Sequence, residues 1–239
     1  MAEPTNDGRG PREVHGIASS IAVLLRKNVR TVVAAVCVVV FVWLLSELAE
    51  GELTRIDSLA YSFFVAYIRS DTLTPIMEEF TSLATPVVLL AMLVVVAAFA
   101  PGRRPGWCAM VNLVLIVVIN QLLKAIVQRP RPEGFRLVDE TGYSFPSGHS
   151  MVAMAFYGLL AWYVWHYERD AVMRWFWCIC LGALVVMVGV SRIYLGVHYA
   201  TDVIAGFCVS LAWLAFYTKV ICPVFLPEPG RKELAERDG

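Results

Sequence analysis

The stretch WCAMVNLVLIVVINQLLKAIVQRPRP at residues 107–132 decides the fold. It carries no charge before Lys124, then sets Lys124, Arg129 and Arg131 around two prolines. A bilayer core is about 30 Å thick and takes about 20 apolar residues to cross as a helix. Residues 107–127 supply such a run. It ends in a cationic, proline-stiffened segment, where a span would reach water.

Five further windows of this kind flank it, at 31–48, 82–100, 150–165, 172–190 and 201–223. The fold expected is an all-α integral membrane protein of six transmembrane helices. Residues 51–81 mix charges with an apolar run, 61–68, that is too short to span, so short interfacial helices are expected in this first outer loop. Thr74 and Pro75 look like the N-cap and first residue of one of them. Composition agrees: of 239 residues, 58% are hydrophobic and 17% charged, with a mean hydropathy of +0.64. Soluble domains are about half apolar and about a quarter charged. The net charge is zero, which gives no basic surface for nucleic acid. The first window follows a long polar segment and is itself long for a signal peptide, so it is expected to remain as a helix. The division expected is a cytoplasmic segment at 1–30, a membrane domain at 31–223 and a cytoplasmic tail at 224–239.

With the N-terminus inside, 13 of the 20 Lys and Arg fall on cytoplasmic segments, as the positive-inside bias requires. Of the seven outside, Lys124, Arg131 and Arg192 have another use. Both termini then face the cytoplasm of a multi-pass cell-membrane protein. The six cysteines lie in or beside apolar windows without metal-site spacing, and read as packed thiols.

Three polar segments fall on one face by this topology. They are Lys124 to Pro132, Pro146-Ser147-Gly148-His149, and Ser191-Arg192 through His198 to Asp202. Any one cation alone reads as an anchor at a helix end. Lys124, Arg131 and Arg192 together repel one another unless they share an anion. Arginine forks match phosphate oxygens in pairs, and lysine adds a point charge. Ser147 and Gly148 stand where a loop enters a helix, so free N–H groups and the helix dipole favour the same anion. His198 and Asp202 are four apart and share a helix face. The carboxylate can fix the imidazole tautomer, which leaves His198 as nucleophile and Asp202 as its orienter. His149 is placed to protonate the leaving oxygen. The cations already compensate the phosphoryl charge, so neither a metal ion nor another cofactor is called for. Arg129 could serve a second phosphate or a headgroup, and Arg136 reads as a solvated loop charge. His15 and His166 fall on cytoplasmic segments. Tyr143, Tyr194 and Tyr199 read as interfacial aromatics.

These segments resemble the K-x6-R-P, P-S-G-H and S-R-x5-H-x3-D signatures of the type 2 phosphatidic acid phosphatase (PAP2) superfamily. Every signature position is present, in order, between Lys124 and Asp202. The resemblance implies a metal-independent lipid phosphatase working through a phosphohistidine, with its site on the outer face of the membrane. The substrate implied is the phosphate of a membrane lipid. Undecaprenyl pyrophosphate comes first, because Arg129 beside Arg131 could serve a pyrophosphate. Phosphatidylglycerophosphate or phosphatidic acid is the alternative, and phosphotransfer onto another lipid a variant. A transporter or lipid-binding protein that only holds an anion is the reading from another class. Residues 51–81 are expected to shape the lipid's access route.

Overall fold

The computed structural model describes residues 28–51, 55–99, 103–134 and 136–226. Most of the N-terminal segment and C-terminal tail, with His15, lies outside these residues. The described residues form helices and turns. In chain order the helices are α1 Val29–Ala49, α2 Arg55–Tyr61, a π-helical segment Ser62–Ile68, α3 Leu73–Ser82, α4 Pro86–Phe99, α5 Arg104–Val127, α6 Gly148–Tyr167, α7 Ala171–Tyr194, α8 Ala200–Val220 and α9 Cys222–Phe225.

A helix falls on each of the six apolar windows. Four are long and apolar enough to cross a membrane: α1, α5, α7, and α8 running on through α9. Their outer faces carry side chains such as Val39, Ile126 and Ile179, all more than half exposed, as a hydrocarbon solvent allows. The window at 82–100 is not one straight span. Pro86 opens α4, and the residue before a proline disfavours helical backbone. The 14 residues of α4 rise only about 21 Å. Joined to α3 across a bend of 56°, they make a fifth candidate crossing. The remaining window holds α6, 20 residues long. Helices α5, α7 and α8 pack around it. Met151, Ala155, Phe156, Tyr157 and Leu159 on it are fully buried in the main core.

Short helices occupy the segment between the first two windows, as expected, with one shift. Helix α3 begins at Leu73, not after Thr74. Ser70 O accepts the amides of Leu73 and Thr74 and the Thr74 hydroxyl, so the first turn closes two residues early. The first window lies against α8, where Leu44 packs with Phe145 and Ala205. The six cysteines are free thiols. Cys108 and Cys222 meet at 3.2 Å, Sγ to Sγ, where α9 folds back on α5.

Candidate active site

Four helix ends converge at one end of the bundle: the last turns of α5 and α7 and the first turns of α6 and α8. Gln128 closes α5 in the left-handed region at φ 52°, and its amide bonds Lys124 O. The chain then runs extended through Pro130 and Pro132, whose rings fix φ and remove two donors. It returns at Ser144, whose amide bonds Arg129 O at 2.8 Å, and enters α6 through Ser147. Ser147 N bonds Asp202 O at 3.0 Å, tying the start of α6 to α8.

His198 occupies the turn between α7 and α8 and is buried. Its Nδ1 lies 3.3 Å from Asp202 Oδ2, and its Nε2 lies 3.2 Å from Arg131 Nη1. A guanidinium can only donate. Nε2 is therefore the acceptor, and the proton sits on Nδ1, facing Asp202. Burial is the largest influence on this imidazole and pushes its pKa down to about 4, against the pull of Asp202, with Arg192 and Arg131 adding to the fall. The ring is neutral at pH 7, with its Nε2 lone pair on the cation side, where it accepts from Arg131. Asp202 is held in turn by Arg129 Nη1 at 2.6 Å, by Tyr199 N at 2.9 Å and by the Ser144 hydroxyl.

The structure brings Arg131 and Arg192 together through a residue that carried no signal in the sequence. Glu140 accepts Arg192 Nη2 on Oε1 and Arg131 Nη2, at 3.4 Å, on Oε2. Burial opposes the charge on Glu140, but Arg192 and Arg131 outweigh it and hold the carboxyl below its ordinary range. Arg131 also donates to Gly142 O, Thr141 O and Val197 O. Arg192 is 1% exposed. Its Nη1 donates to Thr81 Oγ1 at 2.7 Å, while its Nε–H is buried with no hydrogen-bond partner among the described residues. Lys124 lies in the electrostatic field of Arg131, Glu140, Arg192 and Asp202. His149 lies in that of Arg192, Glu140, His198 and Lys124.

One expectation for phosphate donors changes. The Ser147 amide is committed to Asp202 O. The Ser147 hydroxyl accepts from Ser150 Oγ at 2.9 Å, which leaves its own O–H to donate. The amides ahead of the first intrahelical bond, Met151 N to Ser147 O, are those of Gly148, His149 and Ser150. A Cβ on Gly148 would stand 3.0 Å from Asn120 Oδ1, so glycine lets α5 approach this helix start.

Arg129 does not face the cation cluster as a second phosphate site. Its two terminal nitrogens go to Asp202, Thr201 Oγ1 and Asp57, and its guanidinium lies 4.0 Å from the centre of the Tyr199 ring. Asp57, from α2, also accepts Thr201 N and Thr201 Oγ1 at 2.9 and 2.8 Å. Arg129 therefore bridges two buried carboxylates as their shared cation. Tyr194 is fully buried rather than interfacial, and its hydroxyl holds Ser70 and Thr74 at the start of α3. Tyr143 is exposed. Arg136 is exposed and donates to Pro132 O. His166 lies far from this cluster, bonded to Trp162 O.

A membrane helix bundle that gathers three cations, two histidines and a held carboxylate at one end defines a class, the phosphate-handling membrane enzymes. This chain belongs to the PAP2 superfamily, whose sequence pattern matches residues 105–223. Phosphatidylglycerophosphatase B of Bacillus subtilis is 36% identical over 162 residues, covering 66% of this chain and 79% of that protein. An undecaprenyl-diphosphatase of Sulfolobus acidocaldarius is 26% identical over 159 residues, covering 64% and 72%. The crystal structure of a PAP2-type phosphatidylglycerolphosphate phosphatase from Bacillus subtilis superposes with a TM-score of 0.69 at 28% identity, covering 78% of this chain and 96% of that one. The chain is a membrane lipid phosphatase.

Proposed function

We propose that this phosphatase acts through a phosphohistidine on His198. The observation that carries the reading is the orientation of that ring. Nδ1 is held by Asp202, and Nε2 faces the arginine whose neighbour, across Glu140, is Arg192. In this reading a lipid phosphate binds Arg131, Arg192, Lys124 and the amides that open α6, with Ser147 and Gly148 shaping the approach. His198 Nε2 attacks phosphorus as the P–O bond to the lipid breaks, and His149 gives that oxygen its proton. His149 then takes a proton from water, whose oxygen attacks the phosphohistidine and frees orthophosphate. The cations spread over the equatorial oxygens compensate the charge that moves there.

The substrate proposed first is phosphatidylglycerophosphate, with phosphatidic acid beside it. Arg129 is spent on Asp57 and Asp202, which removes the argument for a pyrophosphate-specific arginine, and the relative at 36% identity is named for phosphatidylglycerophosphate. Undecaprenyl pyrophosphate is the second reading, supported by the relative at 26%. We place both termini and the flanking segments at 1–30 and 224–239 in the cytoplasm, with the site on the outer face of the 31–223 domain. Fusion of alkaline phosphatase or a fluorescent protein to each terminus checks that orientation. The function is tested by phosphate release in detergent with EDTA present, comparing the three lipids in wild type and His198→Ala. Release by wild type alone supports the reading, and the ranking of lipids selects the substrate. Release by both proteins contradicts it.

A further inference from the structure

Helix α3 reaches the cation cluster from outside residues 105–223, the part of the chain that the PAP2 pattern matches. Thr74, Met77 and Thr81 are spaced i, i+3 and i+7, so they form one stripe of that helix. The stripe lies along the end of α7. The Thr74 hydroxyl meets Tyr194 Oη at 2.9 Å, and Met77 packs with Tyr194, Leu195 and Val197. Thr81 follows one turn later, and its Oγ1 accepts Arg192 Nη1 at 2.7 Å. The backbone at Thr81 is fixed by the closing turn of α3, where Thr81 O accepts Ala84 N at 3.1 Å.

We infer that Thr81 is a positioning residue for phosphate binding. Its hydroxyl sets the plane of the Arg192 guanidinium so that the Nε–Nη2 edge faces the phosphate. The inference rests on the reading of Arg192 as a phosphate binder. A guanidinium carries its five N–H donors in one plane. Nε and Nη2 share an edge that an anion can meet with two parallel bonds, and Nη1 is turned away from that edge. In Arg192, Glu140 takes Nη2, while the Nε–H is buried with no hydrogen-bond partner among the described residues. The edge therefore keeps an open donor. Thr81 holds the fork from its far side and leaves that donor uncovered. Without the hydroxyl, Nη1 would be a buried donor that has lost its acceptor. The fork would turn to recover one, and the Glu140 carboxylate, already on Nη2, is at hand. A fork paired with Glu140 through both terminal nitrogens no longer presents the Nε–Nη2 edge to phosphate. Helix α3 is then part of the phosphate site.

The test measures orthophosphate binding from the concentration dependence of the unfolding temperature in dodecylmaltoside, which reads variants whether or not they turn over. Valine keeps the shape of threonine and removes the acceptor, and serine keeps the acceptor. Thr81→Val and Thr81→Ala are expected to weaken orthophosphate binding about fivefold to tenfold, and Thr81→Ser to stay within about twofold of wild type. Arg192→Lys keeps the charge but has no fork to orient, so in that background Thr81→Val is expected to add less than about twofold. Wild-type binding in Thr81→Val and Thr81→Ala overturns the inference. Weakening that Thr81→Ser shares in full, or that persists undiminished in the Arg192→Lys background, overturns it as well. Arg192→Gln separates the two levels of the argument. If it binds orthophosphate as wild type does, Arg192 is not a phosphate binder and the underlying reading falls first. If it weakens binding while the Thr81 variants do not, only the Thr81 inference fails.

Discussion

Replacing Arg129 by methionine would leave two buried carboxylates, Asp57 and Asp202, without their shared cation. The contacts are 2.8 Å to Asp57 and 2.6 Å to Asp202, and the side chains involved are 7% exposed for Arg129 and 0% for both aspartates. With charge centres about 4 Å apart and an effective dielectric of about 20, each pair is worth about 4 kcal/mol before desolvation. Breaking a buried pair by removing one partner costs about 3–5 kcal/mol, because the other charge stays buried. Arg129→Met is expected to lose about that much stability. The sharper expectation concerns the second substitution. In the wild-type background Asp57→Asn removes an acceptor of Arg129 and costs about 1–3 kcal/mol. In the Arg129→Met background the same change removes an uncompensated charge and restores at least about 1 kcal/mol. The effect of one substitution thus changes sign with the other. Reversible unfolding in mixed SDS and dodecylmaltoside micelles, read by tryptophan fluorescence, measures all four corners of the cycle. Additive losses would refute the account of Arg129 as the cation of a buried triad.

Gly206→Ala places a Cβ 3.0 Å from Ser147 O and 3.3 Å from Met151 Cγ and Ser150 Cβ, so it should cost about 1–3 kcal/mol and lower kcat by moving the start of α6. Gly182→Ala, which meets nothing within 4 Å, is the control that should leave turnover unchanged and lose no stability, since alanine in a helix is favoured over glycine by about 0.5–1 kcal/mol. For pH, the folded pKa of His198, about 4, lies below its ordinary value of about 6.5. The unfolded chain takes up the proton first, so the His198 contribution is complete above about pH 6.5 and is lost as pH falls towards 4. His198→Gln should flatten that part of the stability curve, and an unchanged slope would show that another group governs it. Truncating Phe63 and Phe64 of the π-helical segment to alanine should reduce turnover of long-chain lipids more than that of a short soluble phosphate ester. Equal losses would remove the outer loop from lipid access.

The sequence made legible whatever follows from spacing along one helix or from a run of apolar residues. Lys124, Arg131, His149, Arg192, His198 and Asp202 converge because each stands at a helix end, and the apolar windows set which ends share a face. Hydropathy runs straight through the second window, so the break at Thr85 and Pro86 shows only in the structure. The rest depends on loops that have no period. Glu140 follows Asp139, and nothing local tells which of the two turns inward to the arginines. Ser144 and Thr81 look like ordinary turn residues until the chain returns beside Asp202 and Arg192. Asp57 lies 72 residues from Arg129 and 144 from Thr201. Only tertiary packing reveals that α2 anchors the His198–Asp202 pair. Arg129 was misjudged for the same reason, since its two acid partners come from α2 and α8.

The central claim is that His198 Nε2 carries the phosphoryl group between two steps. It is tested most directly by rapid quenching of the enzyme with phosphorus-32-labelled phosphatidic acid, followed by mass-spectrometric mapping of the labelled peptide. The account predicts an acid-labile, base-stable label on His198, absent from His198→Ala and accumulated in His149→Ala, where the second step is slowed. Turnover with no label on His198 in either wild type or His149→Ala would contradict it and leave direct attack of water on the lipid phosphate as the mechanism.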